Sequence, residues 1–172
     1  THTTKKFNII IPTIELDKNL INCLNQCLLL DYKSYFITII TEDNNNLKAI
    51  QELSKTDIDI FVIKSDLKNM TAKRNTGALK YESQYLAFID SDAYPQKDWL
   101  NNAEKELGDQ KIIILGGPSG LPFQNSNYSQ KIVNLAKRSF FCTGTNSKNK
   151  YSLETYFTNE IESCNMFVER KH

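Results

Sequence analysis

Five short runs constrain this chain more than anything else in it. They are FNIIIP (Phe7–Pro12), YFITIIT (Tyr35–Thr41), IDIFVIK (Ile58–Lys64), QYLAFID (Gln84–Asp90) and KIIILGG (Lys111–Gly117). Each is apolar nearly throughout instead of alternating. A strand that is apolar on both sides has to be covered on both sides. The segments between the runs supply the cover. DKNLINCLNQCLLLDY places Leu20, Cys23, Leu24, Cys27 and Leu28 at helical spacing, with Asp17 as its N-cap. LKAIQELSK, NMTAKRNTGALKY and QKDWLNNAEKEL read as further helices, the last with Trp99 and Leu100 near its start. Gly77 lies inside the third. A mid-helix glycine costs about 1 kcal/mol relative to alanine, so close packing is the reason to expect for it. Strand and helix alternate through short connections. The expected fold is therefore α/β, with a mainly parallel central sheet flanked by helices on both faces.

After Gly117 the alternation stops. GGPSGLPFQNSNYS reads as a loop, QKIVNLAKRSFF as a helix, CTGTNSKNK as another loop and ESCNMFVERK (Glu162–Lys171) as a last strand. There is no internal repeat and no linker, and 172 residues suit one domain spanning 1–172. Hydrophobic residues at 40% and charged residues at 24% mark a globular chain. A net charge of +1 with no run of like charge argues against nucleic acid as a partner. No apolar run approaches the roughly 20 residues that span a bilayer. THTTKKFN has no apolar core of a signal peptide. The cysteines, Cys23, Cys27, Cys142 and Cys164, form no C-x-x-C pair, and the two histidines, His2 and His172, sit at the termini. Free thiols in a reducing compartment follow as the expectation. The expected setting is cytoplasmic, or the cytoplasmic face of a membrane through a segment outside these residues.

In parallel α/β sheets, ligands bind outside the carboxyl ends of the strands. Three such ends carry acids: Glu15 after the first strand, Glu42 and Asp43 after the second, Asp90 and Asp92 after the fourth. In an extended backbone residues 90 and 92 share a side. Two neighbouring carboxylates repel unless a cation is near. A hard divalent ion, Mg²⁺ or Mn²⁺, satisfies oxygen ligands of this kind and is commonly completed by substrate phosphates. Against this stands a plain Asx turn or helix cap, which uses the same residues. In AKRNTGAL, Lys73, Arg74 and Asn75 point in three directions on a helix. At most two face one ligand, where they would contact phosphate; the alternative is a solvated helix face. GGPSGLP is neither a G-x-G-x-x-G fingerprint nor a phosphate loop. It reads as a connection, or as a loop lining a sugar pocket.

FNIIIPT, EDNNN, AKRNTGAL and YLAFIDSDAYP, in this order and spacing, resemble the inverting glycosyltransferases of family 2, which have the GT-A fold. The resemblance runs from Phe7 to Arg170. It implies a nucleoside-diphosphate sugar as donor, Mn²⁺ or Mg²⁺ as cofactor, and transfer to a glycan, lipid or protein acceptor, in polysaccharide or glycoconjugate biosynthesis. By the same resemblance Thr13 faces the base or ribose with Glu15 nearby, and Asp43 touches the base. Lys73, Arg74 and Asn75 line the nucleotide. Asp90, Ser91 and Asp92 match the family's Asp-x-Asp, with Asp92 on the metal and Asp90 on ribose, sugar or metal. Residues 1–117 correspond to the donor half and 118–172 to part of the acceptor half. The general base of relatives lies downstream of the strand that SCNMFVERK resembles, so it is expected beyond His172. Glu160 and Glu162 are stand-ins that match no base motif.

Two other readings remain at this point. One is a family domain that binds nucleotide-sugar without transferring it. The other is an aspartate-nucleophile phosphatase, since DSDAY is superficially similar to Asp-x-Asp-x-Thr. That signature belongs after the first strand and needs threonine where this chain has Tyr94.

Overall fold

The computed structural model describes residues 5–43, 47–53, 56–109, 112–119, 128–129, 131–132 and 156–171. Its elements in chain order are β1 (Phe7–Pro12), α1 (Lys18–Leu28), β2 (Tyr35–Thr41), α2 (Leu47–Leu53), β3 (Ile60–Lys64), α3 (Met70–Lys80), β4 (Tyr85–Ile89), α4 (Trp99–Asp109), β5 (Ile114–Gly116) and β6 (Asn165–Glu169). The strands form one six-stranded sheet in the order β3-β2-β1-β4-β6-β5. β1 pairs in parallel with both β2 and β4, and β2 with β3. The N–H of Arg170 donates to Gln84 carbonyl, so β6 ends where β4 begins and runs against it. Glu169 pairs with Ile113 and Asn165 with Gly117, so β6 also opposes β5.

All residues of β1, β2 and β4 are buried, as apolar runs without alternation require. Phe7, Ile9, Ile11, Ile37, Ile39, Ala87 and Ile89 face one side, where Leu20, Cys23, Leu24 and Cys27 of α1 and Leu100, Ala103 and Leu107 of α4 cover them. On the other side Ile10 and Ile40 meet α3 at Gly77. A Cβ on Gly77 would lie 2.6 Å from Ile40 Cδ1 and 2.8 Å from Ile10 Cγ2, which explains a glycine inside a helix. Asn8 and Thr38 share that buried face. Thr38 hydroxyl donates to Asn8 Oδ1 at 2.8 Å and Asn8 Nδ2 donates to Gly77 carbonyl at 3.3 Å, so the polar groups satisfy one another. Asp17 caps α1 as expected, accepting from Leu20 N–H at 2.9 Å.

The sheet differs from the expected boundaries mainly at its margins. β3 starts at Ile60 and not Ile58, β5 covers Ile114–Gly116 of the expected 111–117, and β6 covers Asn165–Glu169 of the expected 162–171. β4 ends at Ile89, because the N–H of Ala93 turns back to Asp90 carbonyl at 3.0 Å. The extended geometry expected for residues 90–92 is therefore replaced by a turn. Most of QKIVNLAKRSFF, all of CTGTNSKNK and residues 44–46 lie outside the described residues, as does Cys142. Cys23, Cys27 and Cys164 form no disulfide among the described residues. No described helix is long and apolar enough to cross a membrane.

The chain divides into two compact units, residues 1–115 with 167–172, and residues 116–166. In the second, Gly117 N–H donates to Asn165 carbonyl at 3.0 Å and Asn165 Nδ2 donates to Pro118 carbonyl at 2.9 Å. A Cβ on Gly117 would meet Asn165 Nδ2 at 2.5 Å, so any larger residue here would push the Asn165 amide from its place. Ser119 hydroxyl donates to the Glu162 carboxylate, while Glu160 is exposed.

Candidate functional site

The carboxyl ends of β1, β2 and β4 and the first turns of α3 meet within the first unit. Asn69 caps α3, its side chain accepting from Thr71 and Ala72 N–H. That cap sets the helix phase that sends Lys73 and Arg74 in different directions, about 100° apart.

Lys73 goes inward. Its side chain is 0% exposed. The ammonium donates to Thr13 carbonyl at 2.6 Å and to Glu42 Oε1 at 2.8 Å. Glu42's other oxygen pairs with Lys68, which stands in solvent. These two ammonium groups, Lys68 first, hold the Glu42 carboxyl below its usual range. Thr41 joins the same strand ends a second time: its hydroxyl donates to Ile14 carbonyl at 3.3 Å and accepts from Asp43 N–H at 3.1 Å. Thr13 hydroxyl closes its own loop by donating to Glu15 carbonyl at 2.8 Å. The segments after β1 and β2 are thus cross-tied by one hydroxyl and one ammonium.

Arg74 goes to the end of β4. Its Nη2 donates to Asp90 Oδ1 at 2.5 Å, while its Nε is buried without a partner among the described residues. The cation that the Asp-Ser-Asp pair calls for is thus partly supplied from within the protein. Asp90 remains 40% exposed at its side chain, Ser91 is half-buried and Asp92 is exposed. Beneath the turn, the Cys23 thiol donates to Asp90 carbonyl at 3.7 Å. The neighbouring Cys23 thiol, followed by burial, pushes the Cys27 thiol well up, which suits packed, unreactive sulfur.

Thr13, Asp43, Lys73, Arg74 and Asp90 are accordingly brought together by the strand ends and α3, while Glu15, Asn75 and Asp92 present exposed side chains around them. Lys73, expected to line the nucleotide, has its ammonium sealed between protein oxygens. Among the described residues no group of three or more His, Cys, Asp or Glu is placed to hold a metal. Two carboxylates, one of them half-engaged by arginine, fit a hard ion that takes its other ligands from phosphates and do not fit a cage built by protein alone. Sequence reasoning missed the Lys73–Glu42–Lys68 chain and the double role of Thr41. The only signal was a threonine just before the Glu42–Asp43 pair.

The family model for glycosyl transferase family 2 matches residues 8–168. The glycosyltransferase AglE of Haloferax volcanii is 23% identical over 175 residues, covering 99% of this chain and 54% of that protein. The mannosyltransferase PcManGT of Pyrobaculum calidifontis, solved in complex with GDP-Man and Mn²⁺, superposes with a TM-score of 0.69 at 16% identity, over 99% of this chain and 46% of its own. TarS of S. aureus, solved in complex with UDP-GlcNAc, gives a TM-score of 0.58 at 20% identity, over 72% of this chain and 37% of its own. The chain thus spans about half or less of these relatives. The structural likenesses show the fold, the GT-A arrangement of glycosyltransferases. With most of its length matched by the family model, the chain belongs to glycosyl transferase family 2.

Proposed function

We propose that these residues form the donor-binding part of an inverting glycosyltransferase that moves a sugar from a nucleoside diphosphate to an acceptor hydroxyl. The observation that carries the reading is the meeting of Thr13, Asp43, Arg74 and Asp90 at three adjacent strand ends in a family 2 chain. Thr13 and Asp43, with Glu15 beside them, take the base and ribose. Arg74, Asn75, Ser91 and Asp90 take the ribose, diphosphate and sugar. Asp92, with the Asp90 oxygen that Arg74 leaves open, would hold Mn²⁺ or Mg²⁺. Bound there, the ion would neutralise charge gathering on the departing diphosphate. PcManGT, solved with GDP-Man and Mn²⁺, and TarS, solved with UDP-GlcNAc, support the substrate class.

In the reaction the acceptor oxygen bonds to the anomeric carbon as the carbon–oxygen bond to the diphosphate breaks. The acceptor's proton passes to a general base, and the nucleoside diphosphate leaves. Arg74 would stabilise the charge that develops on that leaving group. The test is incubation with UDP-, GDP- and dTDP-sugars and hydroxyl acceptors, following nucleoside diphosphate release and product anomer by NMR. Acceptor-dependent release with inverted configuration is expected. Nucleotide binding with no acceptor-dependent release would instead favour a domain that binds the donor without transfer.

A further inference from the structure

We propose that Lys73 is a positioning residue: it does not touch the donor, but clamps the two segments that hold the donor's nucleoside. The inference rests on the donor reading above. Both bonds described for its ammonium go to protein, the carbonyl of Thr13 after β1 and the carboxylate of Glu42 after β2. The side chain has no exposed surface from which to meet a ligand. Thr13 and Asp43, the two expected base contacts, adjoin these anchor points directly. One is the very residue whose carbonyl is held, and the other follows Glu42 in the chain.

The chemistry of the clamp is specific. A buried ammonium is tolerable only with its donors satisfied and a counter-charge close by. Glu42 supplies that charge, and Lys68 occupies its second oxygen from the solvent side. The Glu42 carboxylate is therefore committed to two lysines, and its distance from Thr13 is set by a single nitrogen that both bond. Removing the nitrogen takes away the one side-chain cation between the two segments, leaving among the described residues the Thr41 hydroxyl, the Thr13 N–H bond to Ile40 carbonyl and the sheet. The part of the ligand that spans those segments, the nucleoside, would lose its geometry. The part that meets Arg74 and the Asp90–Asp92 turn, the diphosphate, would not.

The test compares Lys73→Met, Glu42→Gln and the double variant with the unaltered chain in calorimetric titrations. The ligands are UDP, GDP and dTDP on one side and inorganic pyrophosphate on the other, all with Mn²⁺. Folding is checked by circular dichroism, and titration is carried out well below each melting temperature. Lys73→Met is expected to weaken the preferred nucleoside diphosphate about tenfold or more, in keeping with the penalty for misplacing binding groups, and to leave pyrophosphate unchanged. The double variant should lose little beyond Lys73→Met, since both residues act through one contact. Equal weakening of pyrophosphate would overturn the proposal by making Lys73 a phosphate ligand. A lower melting temperature with unchanged nucleotide affinity would overturn it by making the clamp a matter of stability alone. If Lys73→Met does not fold, Glu42→Gln, which keeps the side-chain volume, carries the same comparison. Failure of the unaltered chain to bind any nucleoside diphosphate would instead remove the donor reading, and this inference with it.

Discussion

Glu42 is held by Lys68 and Lys73 together, and its carboxyl is lowered by them. A carboxyl lowered on folding adds stability above its ordinary value, 4.5, and loses that stability as pH falls through the folded value. Urea midpoints of the unaltered chain and Glu42→Gln should therefore differ at neutral pH. The gap should narrow below about 4.5 and close in more acid solution, where Glu42 too is uncharged. A gap independent of pH would mean that charge is not what Glu42 contributes. Arg74 and Asp90 show a related economy: the arginine settles one of the two carboxylates, and leaves the exposed Asp92 as the group with most to gain from an ion.

Among the elements, α3 links core and site. Its first turns carry Lys73 and Arg74, and Gly77 one turn on presses against the sheet. Gly77→Ala should gain about 1 kcal/mol of helix propensity but lose more, since overpacking costs about 1–3 kcal/mol. Ile40 Cδ1 can swing aside, whereas the branched Ile10 Cγ2 on the central strand cannot. A lower denaturation midpoint is expected; a rise would show that α3 lifts freely from the sheet. The helix's existence, its glycine's role and the strand cores of β1, β2 and β4 were legible in the sequence, because period and apolarity are local signals. Lys73's burial was not. A lysine in a helix reads as solvated, and its partners lie 60 and 31 residues away. The turn at Asp90 was missed for a similar reason: QYLAFID reads as strand to its end, but the bond from Ala93 N–H stops it at Ile89.

At the scale of the molecule, the parallel pairing that brings β1, β2 and β4 side by side also brings their acid-bearing ends together. Alternating strands and helices foretold this much, whereas the insertion of β6 between β4 and β5 depends on pairings that no local pattern encodes. Membership of family 2 and the GT-A fold give those ends a chemical meaning. The central claim is that they bind a nucleoside diphosphate with a metal at Asp92. The most direct measurement is calorimetric titration of UDP, GDP and dTDP with and without Mn²⁺, on this chain and on Asp92→Ala. At least one nucleotide should bind in a Mn²⁺-dependent manner, and Asp92→Ala should lose most of that dependence, about tenfold or more in affinity for one metal-borne contact. Binding equally strong without the ion and in the variant, or no binding of any nucleotide, would contradict the account.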